Sequence, residues 1–355
     1  MNNPFIKDDH ISPDVSINKL YIAKMPYYNI SENLENKTAA ELFSTELFVN
    51  EIKKNAKTLN LDLRNIEEKK LPQYLSLCLE SKNEEAKDCA KRITKLFGER
   101  LAIILLTLKT GLVENKRARE DWTEDNWFYW SQLHNVILVG GLASGNIGQE
   151  LKYHVDRIFK EAHINPYNII LNEDSENVAL KGCTTYIEEE DKTKEYLIMD
   201  CGATFIKRTF VNIDKGQILK IHQLDKVKSE GVEWTYKSSE EEAEEALKLH
   251  NHILNTILDS FYSLSDMNRA GNQIIISIAN YVNNGVFMNR GGYGKLRLLS
   301  SNYEEYLSDN LFNKMNTRFE IKFIHDGTAM AAAFKSYKNS VCISLGTHFG
   351  VGFPM

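Results

Sequence analysis

Three short apolar runs break directly into glycine-bearing turns, and that repeated junction constrains the fold more than any other feature of the chain. Val136 to Val139 runs into Gly140-Gly141, and Tyr196 to Met199 runs into Asp200-Cys201-Gly202-Ala203-Thr204. Ser340 to Ile343 leads to Gly346-Thr347-His348-Phe349-Gly350-Val351-Gly352. A short apolar run closed by glycine reads as a buried strand with a tight turn at its end. Helical patterns stand between such runs. From Asn83 onward Ala86, Ala90, Ile93, Leu96, Phe97 and Leu101 recur at three and four, and Ile103 to Leu106 are all apolar. This predicts a long helix entering a core. A second helix is expected from about Ile147 to Ala162, and Ser238-x-x-Glu241 reads as the cap of a third. "QIIISIANYV" and "RFEIKFIHDG" read as further buried strands, and "TAMAAAFKSY" starts a helix at once. The runs flanking Gly202-Ala203-Thr204 predict a β-hairpin. Strands alternating with helices, with a hairpin among them, imply a mixed α/β fold.

With 355 residues, the chain is long enough for about two domains. The charged stretch 188–195, "EEEDKTKE", reads as a solvated connector and as the boundary between them. Residues 1–80 are polar and irregular, and no pattern assigns them a role. The net charge is −6 with no long basic stripe, which argues against nucleic acid or an anionic membrane surface as main partner. No run approaches the roughly 18 apolar residues of a membrane span. The first residues, "MNNPFIKDDHISPD", lack the halves of a secretory signal. The five cysteines, Cys78, Cys89, Cys183, Cys201 and Cys342, show no paired spacing. Reduced thiols in a cytoplasmic protein are expected, without structural zinc.

The glycine turns carry the candidate chemistry. Glycine lets backbone N–H groups approach an anion, and a threonine hydroxyl adds a donor. An acid such as Asp200 beside such a turn suits Mg²⁺ held through water. None of the three turns is a Walker A loop, and a glycine turn after a strand, taken singly, is more often just a turn. Asp326 has two readings. It is the N-cap of the helix that follows, or it is a general base at the end of a strand, where α/β sheets gather their sites.

Four stretches together resemble the sugar-kinase, heat-shock-chaperone and actin superfamily, and within it the ROK-type and glucokinase-like sugar kinases. "DCGATFIK", Asp200 to Lys207, resembles the first phosphate motif, D-x-G-G-T-x-x-[KR]. "ISIA" followed by "FIHDGTAMAAAF" resembles the stretch ending in the catalytic aspartate, N-D-x-x-A-A-A. "SLGTHFGVGF" is similar to the second phosphate motif, L-G-T-G-x-G-x-G, and "NVILVGGLASGN" to the adenosine motif. The order differs from that family, where phosphate 1 comes first and the adenosine motif last. Each motif occurs once, so the resemblance implies a circular permutation. Residues 1–70 would then continue the "GTHFGVGF" loop and complete its sheet, with Met1 near Met355.

The resemblance implies a two-lobed actin-like ATPase fold, each lobe on a ribonuclease-H-like mixed sheet, closing over a cleft. The larger lobe would be 1–187 with 340–355, carrying the adenosine motif and phosphate 2. The smaller, 188–339, would carry phosphate 1 and the catalytic aspartate. The implied activity is ATP-dependent phosphorylation of a hexose or related sugar with Mg²⁺, and a homodimer is compatible with it. Asp326 would be the base, and Asp200 would aid Mg²⁺. Gly202, Thr204, Lys207, Gly346, Thr347 and Gly350 would hold phosphates, and Gly140, Gly141 and Ser144 the adenosine. Asn280, Asn289 and His325 would meet the sugar beside Asp326. The sequence departs from the family at Ala203, Phe205, Asn280, His325 and His348. Because Ala203, Phe205 and His348 crowd the phosphate motifs, a sugar-sensing relative without turnover is the alternative. An actin-like structural ATPase fits less well, since a base at Asp326 suits an alcohol acceptor.

Overall fold

Apolar runs that leave no polar face must be covered on both sides, and parallel strands with helices on each face provide that cover. The computed structural model describes residues 2–7, 10–172, 174, 177–188, 190–236 and 238–354. In chain order its main elements begin with α1 (Thr45–Lys54), α2 (Glu84–Thr110), β1 (Asn135–Val139), α3 (Gly145–Glu161) and β2 (Asn168–Leu171). Then come α4 (Val178–Thr184), β3 (Glu195–Cys201), β4 (Phe205–Asp214), β5 (Gln217–Lys228), α5 (Ser239–Tyr262) and β6 (Ala270–Ile278). The chain closes with α6 (Tyr303–Met315), β7 (Glu320–His325), α7 (Asp326–Ala332), β8 (Ser340–Leu345) and β9 (Phe349–Gly352). The chain divides into two compact units. One gathers the first few residues, Ser12–Glu176 and Ser336–Pro354, and the other Asn177–Lys335 with His10 and Ile11.

In the first unit the sheet order is β9-β8-β1-β2. β8 and β2 run parallel to β1, and β9 turns back antiparallel to β8. Val136 to Val139 are wholly buried. Helix α2 starts where the Asn83 side chain accepts from Ala86 N–H and ends at Gly111 in the left-handed region, φ 51°. Its 27 residues span about 40 Å. It lies so close to α3 that a Cβ at Gly98 would stand 2.6 Å from His154 Cβ.

The first 70 residues brace this sheet without joining it. Their short strands Tyr21–Ile22 and Lys37–Thr38 pair with each other, so the expectation that they complete the sheet is not met. Strands of two residues are too short to extend a ladder. What they supply is side chains at its edge. The Asn18 amide donates to Phe349 O at 2.8 Å and accepts from Phe349 N–H at 2.9 Å, closing β9 against further pairing. Thr45 N–H donates to Gly346 O at 2.9 Å. Met1 and Met355 lie outside the described residues, but Phe5 stacks on Phe353 with ring centroids 5.8 Å apart. Trp122, Trp130 and Tyr129 surround that stack.

In the second unit the order is β7-β6-β3-β4-β5. β3, β6 and β7 are parallel, and β4 and β5 continue as an antiparallel meander. The hairpin expected around Gly202-Ala203-Thr204 is β3–β4. β4 and β5 meet through Lys215-Gly216, both at positive φ, the arrangement that suits a two-residue hairpin. Helix α5 begins at the expected cap, with Ser238 Oγ accepting from Glu241 N–H at 3.2 Å. Its Leu249, Ile253, Ile257 and Phe261 cover one sheet face with Leu197, Met199, Ile274 and Ile276. Tyr196, Ile198, Ile275 and Ile324 face the other way, onto Cys183 of α4 and Ala329 of α7.

The division therefore falls ahead of α4 rather than in the 188–195 run. Helix α4 packs on α7 so tightly that Gly182 has no room for a side chain: a Cβ would lie 1.6 Å from Ala329 O. Glu188 and Glu190 to Thr193 are exposed, and Glu189 lies outside the described residues. The run ends inside the fold, since Glu195 opens β3 at 5% exposure and pairs there with Arg269. Gly182→Ala is expected to destabilise the protein by about 1–3 kcal/mol, because backbone must move to admit the methyl group. Chemical denaturation checks this, and an unchanged midpoint would mean that α4 is free to shift.

Candidate active site

Parallel strands bring their C-terminal ends to one edge, so residues far apart in sequence meet there. In the second unit Asp200 of β3 stands opposite Ser277 of β6, and Ser277 opposite Ile324 of β7. His325 ends β7, and Asp326 begins α7. Ser277 Oγ donates to Asp200 Oδ1 at 3.2 Å, and Lys207 Nζ lies 3.4 Å from Asp200 Oδ2. Ser277 was missed by sequence reasoning: one serine within the apolar "IIISIA" is too weak a signal to name it.

The capping question is settled by His325. Its backbone is extended, φ −54° and ψ 134°, and its Nδ1 accepts from Thr328 N–H at 3.3 Å, so it is the N-cap of α7. Asp326 is the first helical residue, and its Oδ1 accepts from its neighbour Gly327 N–H at 2.7 Å. With Nδ1 an acceptor, the ring proton of His325 sits on Nε2, which faces Asp326 Oδ1 at 3.2 Å. The imidazole stacks on Tyr281, 4.2 Å between centroids and 15° between planes, and Arg290 lies 5.4 Å over the far ring. Burial holds His325 below its ordinary value, with Asp326 pulling the other way and Arg290 adding to the depression. It is therefore neutral at pH 7.

Asp326 is held above the ordinary aspartate range. Burial is the main cause; His325 opposes it, the like charge of Asp200 adds to it, and Gly327 N–H opposes it. Because 39% of the side chain stays open to solvent, water screens part of that shift. A partly exposed carboxyl with a raised pKa, in contact with a neutral imidazole, is equipped to take a proton.

The turn after β3 is fixed by its carbonyl. Gly202 O accepts from Ser229 Oγ at 2.8 Å and from Tyr293 OH at 2.9 Å, leaving Ala203 and Thr204 exposed at the tip. Asn280 is placed differently from the expected sugar contact. It is 3% exposed, and its amide nitrogen donates to Arg290 O and to Met288 O. It ties a loop rather than facing outward. Asn289, inside that loop, is exposed.

Gly140, Gly141, Ser144, Gly346, Thr347 and Gly350 belong to the first unit. Ser344 pairs with Val139, so the turns after β1 and β8 emerge from neighbouring parallel strands. Gly140 sits at φ 95°, and a Cβ there would meet Leu345 O at 2.8 Å. Gly141 is exposed, with nothing within 4 Å of a Cβ. Ser144 Oγ donates to Gly141 O at 3.1 Å. Gly346-Thr347-His348 forms the tip of the β8–β9 hairpin, with Thr347 and His348 exposed. Gly350 lies within β9, and its N–H donates to Ser344 Oγ at 3.0 Å. Unlike Thr347, it has no free donor for a phosphate.

Among the described residues no three His, Cys, Asp or Glu side chains are grouped to hold a metal ion. No helix there is long and apolar enough to cross a membrane. No protein-family model matches the chain, and no curated protein matches it. Among solved structures it is similar to one described as an exopolyphosphatase-like protein. The identity is 11%, over 68% of this chain and 82% of that one, with a TM-score of 0.29. Likeness at that level assigns neither a fold family nor an activity, and the resemblance to sugar kinases is one of sequence motifs alone.

The two neighbouring glycines are separable by mutation. Gly140→Ala is expected to lower stability by about 1–3 kcal/mol, from its left-handed backbone and the clash with Leu345. Gly141→Ala should stay within about 0.5 kcal/mol of the parent. Thermal denaturation of both tests this, and equal losses would mean that Gly140 is not under backbone constraint.

Proposed function

We propose that the chain is an ATP-dependent kinase acting on a hydroxyl of a hexose or a related sugar, with a circularly permuted order of the actin-like motifs. The observation that carries this reading is Asp326. It leaves the cap of α7 to His325, is raised in pKa, and stands across one intervening strand, β6, from a second acid, Asp200. A base at that position suits an attacking hydroxyl, whose proton Asp326 would take as the oxygen bonds to the γ-phosphorus and the bond to ADP breaks. The three-strand meander β3–β4–β5, continued by parallel β6 and β7, is the kind of sheet the reading requires.

The remaining residues fit supporting roles. Thr204 and Thr347 are exposed at their turn tips and would donate to phosphate oxygens. Gly141, with free space above it, would let a flat base lie on the backbone. Mg²⁺ would neutralise phosphate charge. Asp200 is the carboxylate suited to it, and with no group of three ligands among the described residues the ion would keep mostly water and phosphate oxygens. A second reading, a sugar sensor without turnover, is favoured by the engaged Gly350 N–H and by His348 exposed beside Thr347.

Release of ADP, followed in a coupled assay over a panel of sugars, tests the proposal. Turnover that depends on sugar supports it, sugar binding without turnover favours the sensor, and turnover indifferent to sugar would overturn both. Asp326→Asn is expected to lower kcat about 100-fold or more while sugar affinity stays close to that of the parent. Parent-like turnover in that variant would reduce Asp326 to a structural residue. Thr347→Val should weaken ATP and leave sugar affinity unchanged, as measured by titration calorimetry; the reverse pattern would exchange the roles assigned to the two sets of turns.

A further inference from the structure

Strand β7 is the outer strand of its sheet, and beside it the second unit holds a cavity of about 510 Å³. That is within the usual range for small-molecule sites, about 300–1,000 Å³, and far more than an inorganic ion needs. Its charge is one-sided. Lys322 and Lys335 line it beside the rings of His10 and His325, and no carboxylate does among the described residues, in a chain whose net charge is −6. Lys335 is exposed and has no carboxylate partner among the described residues. Lys322 Nζ lies 3.4 Å from Glu188 Oε1, with 43% and 66% of the two side chains exposed, so that pair is weak and replaceable. The Thr185 hydroxyl already donates to Gly182 O, and Thr328 is turned to the His325 ring. The lysines are therefore the charged donors that the cavity offers.

The rest of the lining is apolar. Phe323, Ile324, Val282 and Ala332 contribute carbon surface, and the Tyr186 ring lies under Lys322 Nζ at 5.3 Å. Cations at the rim and carbon at the floor call for an anion on an uncharged body. We propose that this cavity binds a small phosphate monoester, its phosphate drawn by Lys322 and Lys335 and its body against Phe323, Ile324 and Tyr186. His325 lines the cavity and also faces Asp326, so one buried ring is common to both sites. The proposal does not rest on the kinase reading, because it is tested by binding alone.

Phenyl phosphate and inorganic phosphate serve as probes, titrated calorimetrically into the full chain. Phenyl phosphate is expected to saturate one site about tenfold more tightly than inorganic phosphate, since the ring adds apolar burial. The double variant Lys322→Gln/Lys335→Gln should weaken it about tenfold or more, as loss of charged donors does. Both lysines reach solvent, and circular dichroism checks that the variant folds. Lys207→Gln, at the Asp200 end, should leave the affinity unchanged. Absence of saturable binding overturns the proposal, as does equal affinity for the two probes. Loss of binding in Lys207→Gln with the double variant intact also overturns it, by placing the phosphate at the glycine turn after β3.

Discussion

Parallel pairing of β6 with both β3 and β7 is the constraint from which the second unit follows. Parallel strands stay dry only if both faces are covered, so α5 closes one face while α4 and α7 close the other. The helices must approach the strands and each other closely. Gly182 of α4 against the Ala329 carbonyl of α7 marks one such close approach. The same pairing fixes which side chains share the strand ends. Asp200, Ser277 and His325 meet because their strands run the same way in this register.

His325 then does three things with one ring. It caps α7 through Nδ1, stacks on Tyr281, and turns Nε2–H to Asp326. The first fixes the tautomer, the second fixes the plane, and together they aim the proton at the carboxylate. A neutral imidazole suits all three, and burial keeps it neutral. A charged ring would lose the lone pair that holds the Thr328 N–H. Asp326 thereby keeps an ordered donor on one oxygen and remains partly open to solvent.

In the first unit the comparable device is Asn18. A β8–β9 hairpin with a four-residue return strand has little stability of its own, and its edge is open to further pairing. The Asn18 amide satisfies both backbone groups of Phe349, and Thr45 N–H fixes the Gly346 carbonyl. Residues from the start of the chain thus shape a loop at its end. The Phe5–Phe353 stack, set among Trp122, Tyr129 and Trp130, holds the two terminal segments together.

Local pattern alone determined most elements: the long α2 behind Asn83, the Ser238 cap, the β3–β4 hairpin and the apolar strands that run up to Gly140, Gly202 and Asp326. These depend on periodicity and on backbone groups a few residues apart, which neighbouring residues specify. Tertiary structure decided the rest. Aspartate is the stronger N-cap by type, yet β7 keeps its extended backbone through His325, so the cap falls there and Asp326 is released. Asn280 looks like a surface amide in sequence, but the Met288–Arg290 loop folds over it and takes its donors. Gly350 looks like part of a loop, and pairing with Ser344 makes it strand. Asn18, Ser277 and Tyr281 carry no local signal strong enough to name them, because their partners lie from 44 to 331 residues away and meet only when strand register and packing bring them together.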